Sequence, residues 1–140
     1  MMLLPVRAAV LAATLNLALP AYAQTAAPEH ETATMQFQHD LPGSLGRRLT
    51  AVLVSYPPGV KSTAHHHAQS AFIYARVLSG QIRSQVDDEP AEVYKAGESW
   101  YEAPGAYHKV SENASDTEPA TLLAVFIVNT GEQLTIPDRK

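Results

Sequence analysis

Three consecutive histidines, His65, His66 and His67, follow Gly59 after a short stretch, and a fourth, His108, follows the turn pair Pro104-Gly105. In an extended strand alternate side chains share a face, so His65 and His67 project together and His66 points away. Two imidazoles ~7 Å apart along one strand can converge on a single cation, and a third from another strand makes a facial set. His108 is the candidate third ligand, because the Pro-Gly turn before it fixes the backbone and so the direction of the ring. The competing reading is a solvated, histidine-rich loop. With no cysteine in the chain, a thiolate nucleophile, a thiolate metal site and a disulfide scaffold are excluded, and any metal must be held by nitrogen and oxygen. The remaining histidines, His30 and His39, lie in or near an N-terminal lead-in and read as surface residues.

Strands must position these rings. Short apolar runs alternate with turn residues over Leu49 to Tyr56, Ala71 to Leu78, Gln81 to Val86, Ala91 to Lys95, Ser99 to Glu102 and Thr121 to Val128. Between them stand Pro57-Pro58-Gly59, Ser79-Gly80, Asp87-Asp88-Glu89-Pro90, Ala96-Gly97, Pro104-Gly105 and the polar stretch Ser111 to Pro119. Runs of this length, rich in Val, Ile, Tyr and Phe, read as strands of a sandwich or barrel. No segment after the leader holds a helical apolar stripe for three turns, so the domain is read as all-β. Asp87 to Glu89 reads as a solvated hairpin tip, and Arg76 and Arg83 as outer-face residues within strands.

A length of 140 residues, 46% apolar and 17% charged, suits one folded domain. The net charge of -4, with no basic cluster beyond Arg47-Arg48, argues against a nucleic-acid module. Residues 1–23 carry Arg7, an apolar run from Ala8 to Leu19 and the small-residue triplet Ala21-Tyr22-Ala23, the pattern of a secretory signal peptide cut before Gln24. The run is shorter than the ~20 residues a spanning helix needs, so no membrane span is expected in the mature form, which is placed in the periplasm or outside the cell. Residues 24–36, rich in Ala, Thr, Glu and Pro, read as a flexible lead-in, and 37–140 as the barrel domain.

The spacing resembles the cupin superfamily. Its first motif reads Gly, five residues, His-x-His, three or four residues, Glu, six residues, Gly, and Gly59, His65, His67 and Gly80 match it. Its second reads Gly, five residues, Pro-x-Gly, two residues, His, three residues, Asn. Gly97, Gly105 and His108 match, with Ala103 in place of the proline and Asn113 one residue late. The chain looks most like small, secreted single-domain cupins with a Ser-Ala-Phe-x-Tyr segment, here Ser70 to Tyr74. The resemblance implies a double-stranded β-helix, a jelly-roll barrel with a metal inside near one mouth, and a homodimer paired through its sheets.

One position departs from that pattern. Counted back from Gly80 the motif's Glu falls at Ile73, and counted on from His67 at Ala71, so an apolar residue stands where a carboxylate is expected. Gln69 is a candidate neutral replacement, and Glu102 a candidate carboxylate from the strand leading to His108, as ligand or as acid/base, against the plainer reading of an outer-face charge. A site short of its anionic ligand favours nitrogen-preferring metals such as copper, zinc, nickel or iron over magnesium or calcium, and the cofactor is expected to be a divalent transition metal, manganese included. Tyr74, Trp100 and Tyr107 are candidates for the substrate pocket, competing with plain packing. The expected function is a periplasmic metal-dependent enzyme on a small organic substrate. Dioxygenase-like oxidation is favoured over sugar isomerisation or lyase chemistry, because oxidation demands less of a placed base. The rival is a non-catalytic cupin that captures a metal or small ligand.

Overall fold

The computed structural model describes residues 28–138. The signal peptide expected over residues 1–23, and its cleavage point, lie outside the described residues. Ten strands build the domain: β1 (Thr32–Asp40), β2 (Arg47–Tyr56), β3 (His65–His67), β4 (Phe72–Ser79), β5 (Gln81–Val86), β6 (Glu92–Lys95), β7 (Ser99–Glu102), β8 (Tyr107–Asn113), β9 (Ala120–Asn129) and β10 (Thr135–Pro137). The described residues contain no helix, and so none long and apolar enough to cross a membrane.

The strands form two five-stranded antiparallel sheets, in the order β1-β2-β9-β4-β7 and β10-β3-β8-β5-β6. Alternation decides what each face buries. Along β9, Ala120, Leu122, Ala124, Phe126 and Val128 are buried while Leu123, Val125 and Ile127 are half-buried on the other face. On β4, Ile73, Ala75 and Val77 point inward and Phe72, Tyr74 and Arg76 outward. Ile73, Val77 and Ile82 are almost wholly withdrawn from solvent, each contributing about 1.5–3 kcal/mol of transfer free energy. Small inward residues, Ala75 and Ala124, leave open space between the sheets at one end.

Two glycines of the spacing motifs are required by local geometry. Gly80, at φ 69°, turns β4 into β5, and a Cβ there would lie 2.5 Å from the Pro119 carbonyl oxygen. Gly105, at φ 76°, lies under the Gln69 side chain, where a Cβ would approach Oε1 to 2.6 Å. Asn113 closes the far end of the barrel. Its amide donates to the carbonyls of Glu118 at 2.7 Å and Pro57 at 3.1 Å, and its Oδ1 accepts from the Ser115 backbone at 2.9 Å.

The elements differ from the sequence reading at three places. The lead-in expected to stay flexible through residue 36 is paired from Thr32 onward, in a ladder from Thr32 opposite Ser55 to Asp40 opposite Arg48. Every residue of β1 is exposed, so backbone hydrogen bonds to β2 hold it and no burial pattern marks it. Ser111 to Asn113, read as part of a polar connection, completes β8 with Ser111 and Asn113 buried. The short β10 pairs with β3.

Candidate metal centre

The register places the histidines. His65 and His108 are direct partners across β3 and β8, so their side chains share a face, with ring centroids 5.3 Å apart. His67, two residues along, returns to that face at 4.9 Å from His65 and 6.1 Å from His108. One ligand atom from each of the three lies within 4.8 Å of the others. His66 points outward and stacks on Tyr107 at 4.4 Å.

Backbone carbonyls orient two of the rings. His65 Nδ1 lies 2.8 Å from the Thr63 oxygen and His67 Nδ1 2.9 Å from the Leu134 oxygen. A carbonyl only accepts, so both Nδ1 atoms carry the proton, and in the neutral rings each Nε2 presents a lone pair. His108 Nε2 lies 2.9 Å from Ser84 Oγ.

Glu102 completes the cluster. It is 2% exposed, with Oε2 2.9 Å from His67 Nε2 and Oε1 3.4 Å from His108 Nδ1. The Trp100 indole N–H donates to Oε1 at 3.1 Å. Although close, His67 Nε2 and Glu102 Oε2 are not aligned as donor and acceptor. They are the buried side-chain polar atoms, among the described residues, left without a hydrogen-bond partner. Leaving such atoms unmet costs about 1–3 kcal/mol each. A lone pair facing a carboxylate oxygen calls for a cation between them, so the donor set of three imidazoles and a carboxylate fits a transition metal.

Charge follows the same geometry. Burial alone would raise the Glu102 carboxyl, but contact with His67, the charge of His108 and the Trp100 N–H outweigh it and hold it below the usual carboxylate range. Burial would lower His67, yet Glu102 and the Leu134 carbonyl hold it above the ordinary value. Burial lowers His65, and pushes His108 down to about 4.

These groups form one wall of a cavity of about 380 Å³ between the two sheets. The other walls are largely apolar, with Val52, Ile73, Leu122, Phe126 and Trp100, and Glu31 and Ala33 at the β1 side. Tyr56 stands behind, its hydroxyl 2.8 Å from both Ser62 Oγ and Ser111 Oγ. Lysine and arginine are absent from the lining formed by the described residues.

Of the residues singled out in the sequence, His65, His67, His108, Glu102 and Trp100 meet at this cavity. Gln69, a candidate ligand, does not: it is exposed and packs over Gly105, because the chain leaves β3 into a turn directly after His67. Tyr74 is on the outer face of β4, its parity opposite to that of Ile73 and Ala75. Tyr107 has parity opposite to His108; it lies against His66, its hydroxyl donating to Asp138 at 2.6 Å. Sequence reasoning passed over Tyr56, Ser84 and Phe126. Their inward parity within apolar runs was the available signal, but nothing in the sequence pairs β5 with β8 and so brings Ser84 to His108.

The cupin domain pattern matches residues 52–126, more than half of the chain. No curated protein matches the chain. Among solved structures, a double-stranded β-helix protein from Klebsiella pneumoniae aligns with TM-score 0.62 at 17% identity, covering 79% of this chain and 86% of that one. An oxalate oxidase in complex with the substrate analogue glycolate aligns with TM-score 0.60 at 21% identity, covering 79% of this chain and 56% of that one. KdgF from Halomonas aligns with TM-score 0.55 at 15% identity, covering 72% and 81%. At these identities the likeness is one of fold.

Proposed function

The chain belongs to the cupin domain family, and from that premise we propose that it is a periplasmic, metal-dependent enzyme acting on a small organic molecule, with dioxygenase-like oxidation favoured over sugar isomerisation or lyase chemistry. The observation that carries the metal is the pair of buried, unpartnered atoms His67 Nε2 and Glu102 Oε2 beside His65 and His108. His65, His67 and His108 would hold the ion, which could be iron, manganese, nickel, copper or zinc. Such a centre supplies open positions that can bind dioxygen or polarise a substrate oxygen.

The chain's own groups then sort by position. Thr63 and Leu134 orient two imidazoles through their carbonyls, and Ser84 holds the third. Glu102 stands where its carboxylate can either accept a proton or bind the ion directly. Trp100, Phe126 and Leu122 give the cavity beside the histidines an apolar lining.

The wall also limits the substrate. Among the described residues its formal charges, histidines apart, are the carboxylates Glu31 and Glu102, so an anionic substrate would meet no lysine or arginine there. An uncharged molecule with a largely apolar body and one oxygen function toward the histidines suits the cavity. That an oxalate oxidase is built on this fold supports oxygen chemistry as within the fold's reach.

The rival, a non-catalytic metal- or ligand-binding cupin, draws on the absence of the motif carboxylate after His67. Glu102 beside the rings weakens that argument. Oxygen uptake by the metal-loaded protein against neutral phenols, thiols and sugars separates the two. Turnover supports the enzyme, and tight binding without turnover supports the binder.

Export and assembly belong to the same reading. The sequence of residues 1–23 supports a cleaved signal peptide, and intact mass of the exported protein tests it, with Gln24 expected first. A homodimer is supported by the outer face of the first sheet. There Phe37, Ala51, Val125, Tyr74 and Tyr101 are register partners across all five strands.

A further inference from the structure

We propose that Glu102 is the carboxylate ligand of this centre, supplied from the strand next to the one that carries it in the family's spacing motif. The inference rests on the metal reading above and adds a residue to it.

By count from Gly80 the motif's Glu falls at Ile73, which cannot ligate. In the β4 and β7 pairing, Ile73 and Glu102 are direct partners. Opposed residues of an antiparallel pair point to the same face with Cβ atoms about 4.5–5.5 Å apart. Both are buried, at 1% and 2% exposure, and both line the cavity. A carboxylate one strand over therefore enters the same space at the same height in the barrel.

The orientation of the group decides between ligand and free base. Trp100 is two residues before Glu102 on β7 and so on the same face; its N–H donates to Oε1 and engages that oxygen. Oε2 is left aimed at His67 Nε2, with no donor of its own. A buried carboxylate with no lysine or arginine among the described residues of the cavity lining is expensive unless a cation meets it. A divalent ion bounded by Oε2 and the three imidazoles would satisfy the carboxylate and His67 together, and reduce the charge of the centre from +2 to +1. Proton transfer through Oε2 would require that oxygen to be free, and the ligand assignment removes it from that role.

Cobalt(II) titration of the full mature protein tests the proposal, read by calorimetry and by the visible spectrum of the ion. Glu102→Gln keeps the shape of the side chain and is expected to weaken binding ten-fold or more, with an altered cobalt spectrum. Glu102→Ile is expected to lose binding similarly, and the double variant Ile73→Glu with Glu102→Ile to recover most of it, since the carboxylate returns to the opposed position. Full affinity and an unchanged spectrum in Glu102→Gln, with or without loss of turnover, would overturn the ligand assignment while leaving the three-histidine site intact. A folded double variant that binds no better than Glu102→Ile would overturn the cross-strand placement. A wild-type protein that binds no cobalt would overturn the metal reading itself.

Discussion

His67 Nε2 and Glu102 Oε2 face each other at 2.9 Å inside the barrel, and neither has a hydrogen-bond partner. The Leu134 carbonyl dictates this by accepting from Nδ1–H of His67, so whenever the ring is neutral its Nε2 lone pair faces the carboxylate. The fold holds the two groups in place from different sheets, β3 and β7. The arrangement suits a cation bound between them.

Binding of that cation should therefore stabilise the fold. A ligand at 100 times its Kd adds about 2.7 kcal/mol, and a domain of this size gains a few degrees of Tm per kcal/mol. Thermal unfolding with excess zinc or manganese, against the same protein in chelator, should show a rise of roughly 5–10 °C by these relations. Identical melting curves would count against the site.

In chelator, stability should fall as pH falls from about 6.5 toward about 4. His108 is pushed down by burial, so over that window the unfolded chain takes up a proton that the folded chain refuses, at a cost of about 1.4 kcal/mol per pH unit. His65, also lowered by burial, acts in the same direction. His67, held above its ordinary value by Glu102 despite burial, adds stability that is fully present below about 6.5 and is lost only as pH rises through its higher folded value, so it sets no slope within this window. Between about 6.5 and about 4 the net effect of acidification is therefore a loss. Urea unfolding at pH 7, 6 and 5 measures it, and His108→Gln should flatten the slope. A metal-free protein more stable at pH 5 than at pH 7 would show the sign to be wrong.

Substitutions outside the cavity should leave the centre alone. Tyr74→Phe, Tyr107→Phe and Gln69→Ala remove residues whose side chains face outward or pack over a turn, so cobalt affinity should stay within about twofold, well inside the 10–100-fold losses seen when groups that support a metal are removed. Tyr107→Phe breaks the hydrogen bond to Asp138 and should loosen the short β10 by no more than about 1 kcal/mol. Trp100→Phe, by contrast, removes the donor that orients Glu102 and should weaken metal binding measurably.

The outer face of the first sheet should be a dimer contact. Val125 sits in the middle of the row from Phe37 to Tyr101, and Val125→Lys places a charge there that a partner sheet would have to desolvate. Light scattering should give a dimer for the wild type and a monomer for the variant. A monomeric wild type at micromolar concentration would remove this part of the proposal.

Much of the barrel was legible because burial writes itself into sequence with a period of two. The runs of β2, β4, β5, β6, β7 and β9 were marked by alternating or continuous apolar residues, and the His-x-His parity placed His65 and His67 on one face. β1 was not legible, because an edge strand with every side chain exposed leaves no pattern. Tyr74 and Tyr107 face away from the cavity, which only the register reveals. Each is one residue from an inward-facing neighbour, and a shift of one reverses the face. Gln69 has the parity of His67, but the strand ends between them. The carboxylate next to the histidines was the least legible feature, since opposition of Ile73 and Glu102 is a property of strand pairing that no local pattern records.

A metal centre built on His65, His67 and His108 should be visible in the metal content of the reconstituted protein and of its single alanine variants. About one ion per chain is expected in the wild type and in His66→Ala, whose ring points outward, with loss of most of it in His67→Ala and His108→Ala. A metal-free wild type after reconstitution, or a His66→Ala variant as depleted as His67→Ala, would contradict it.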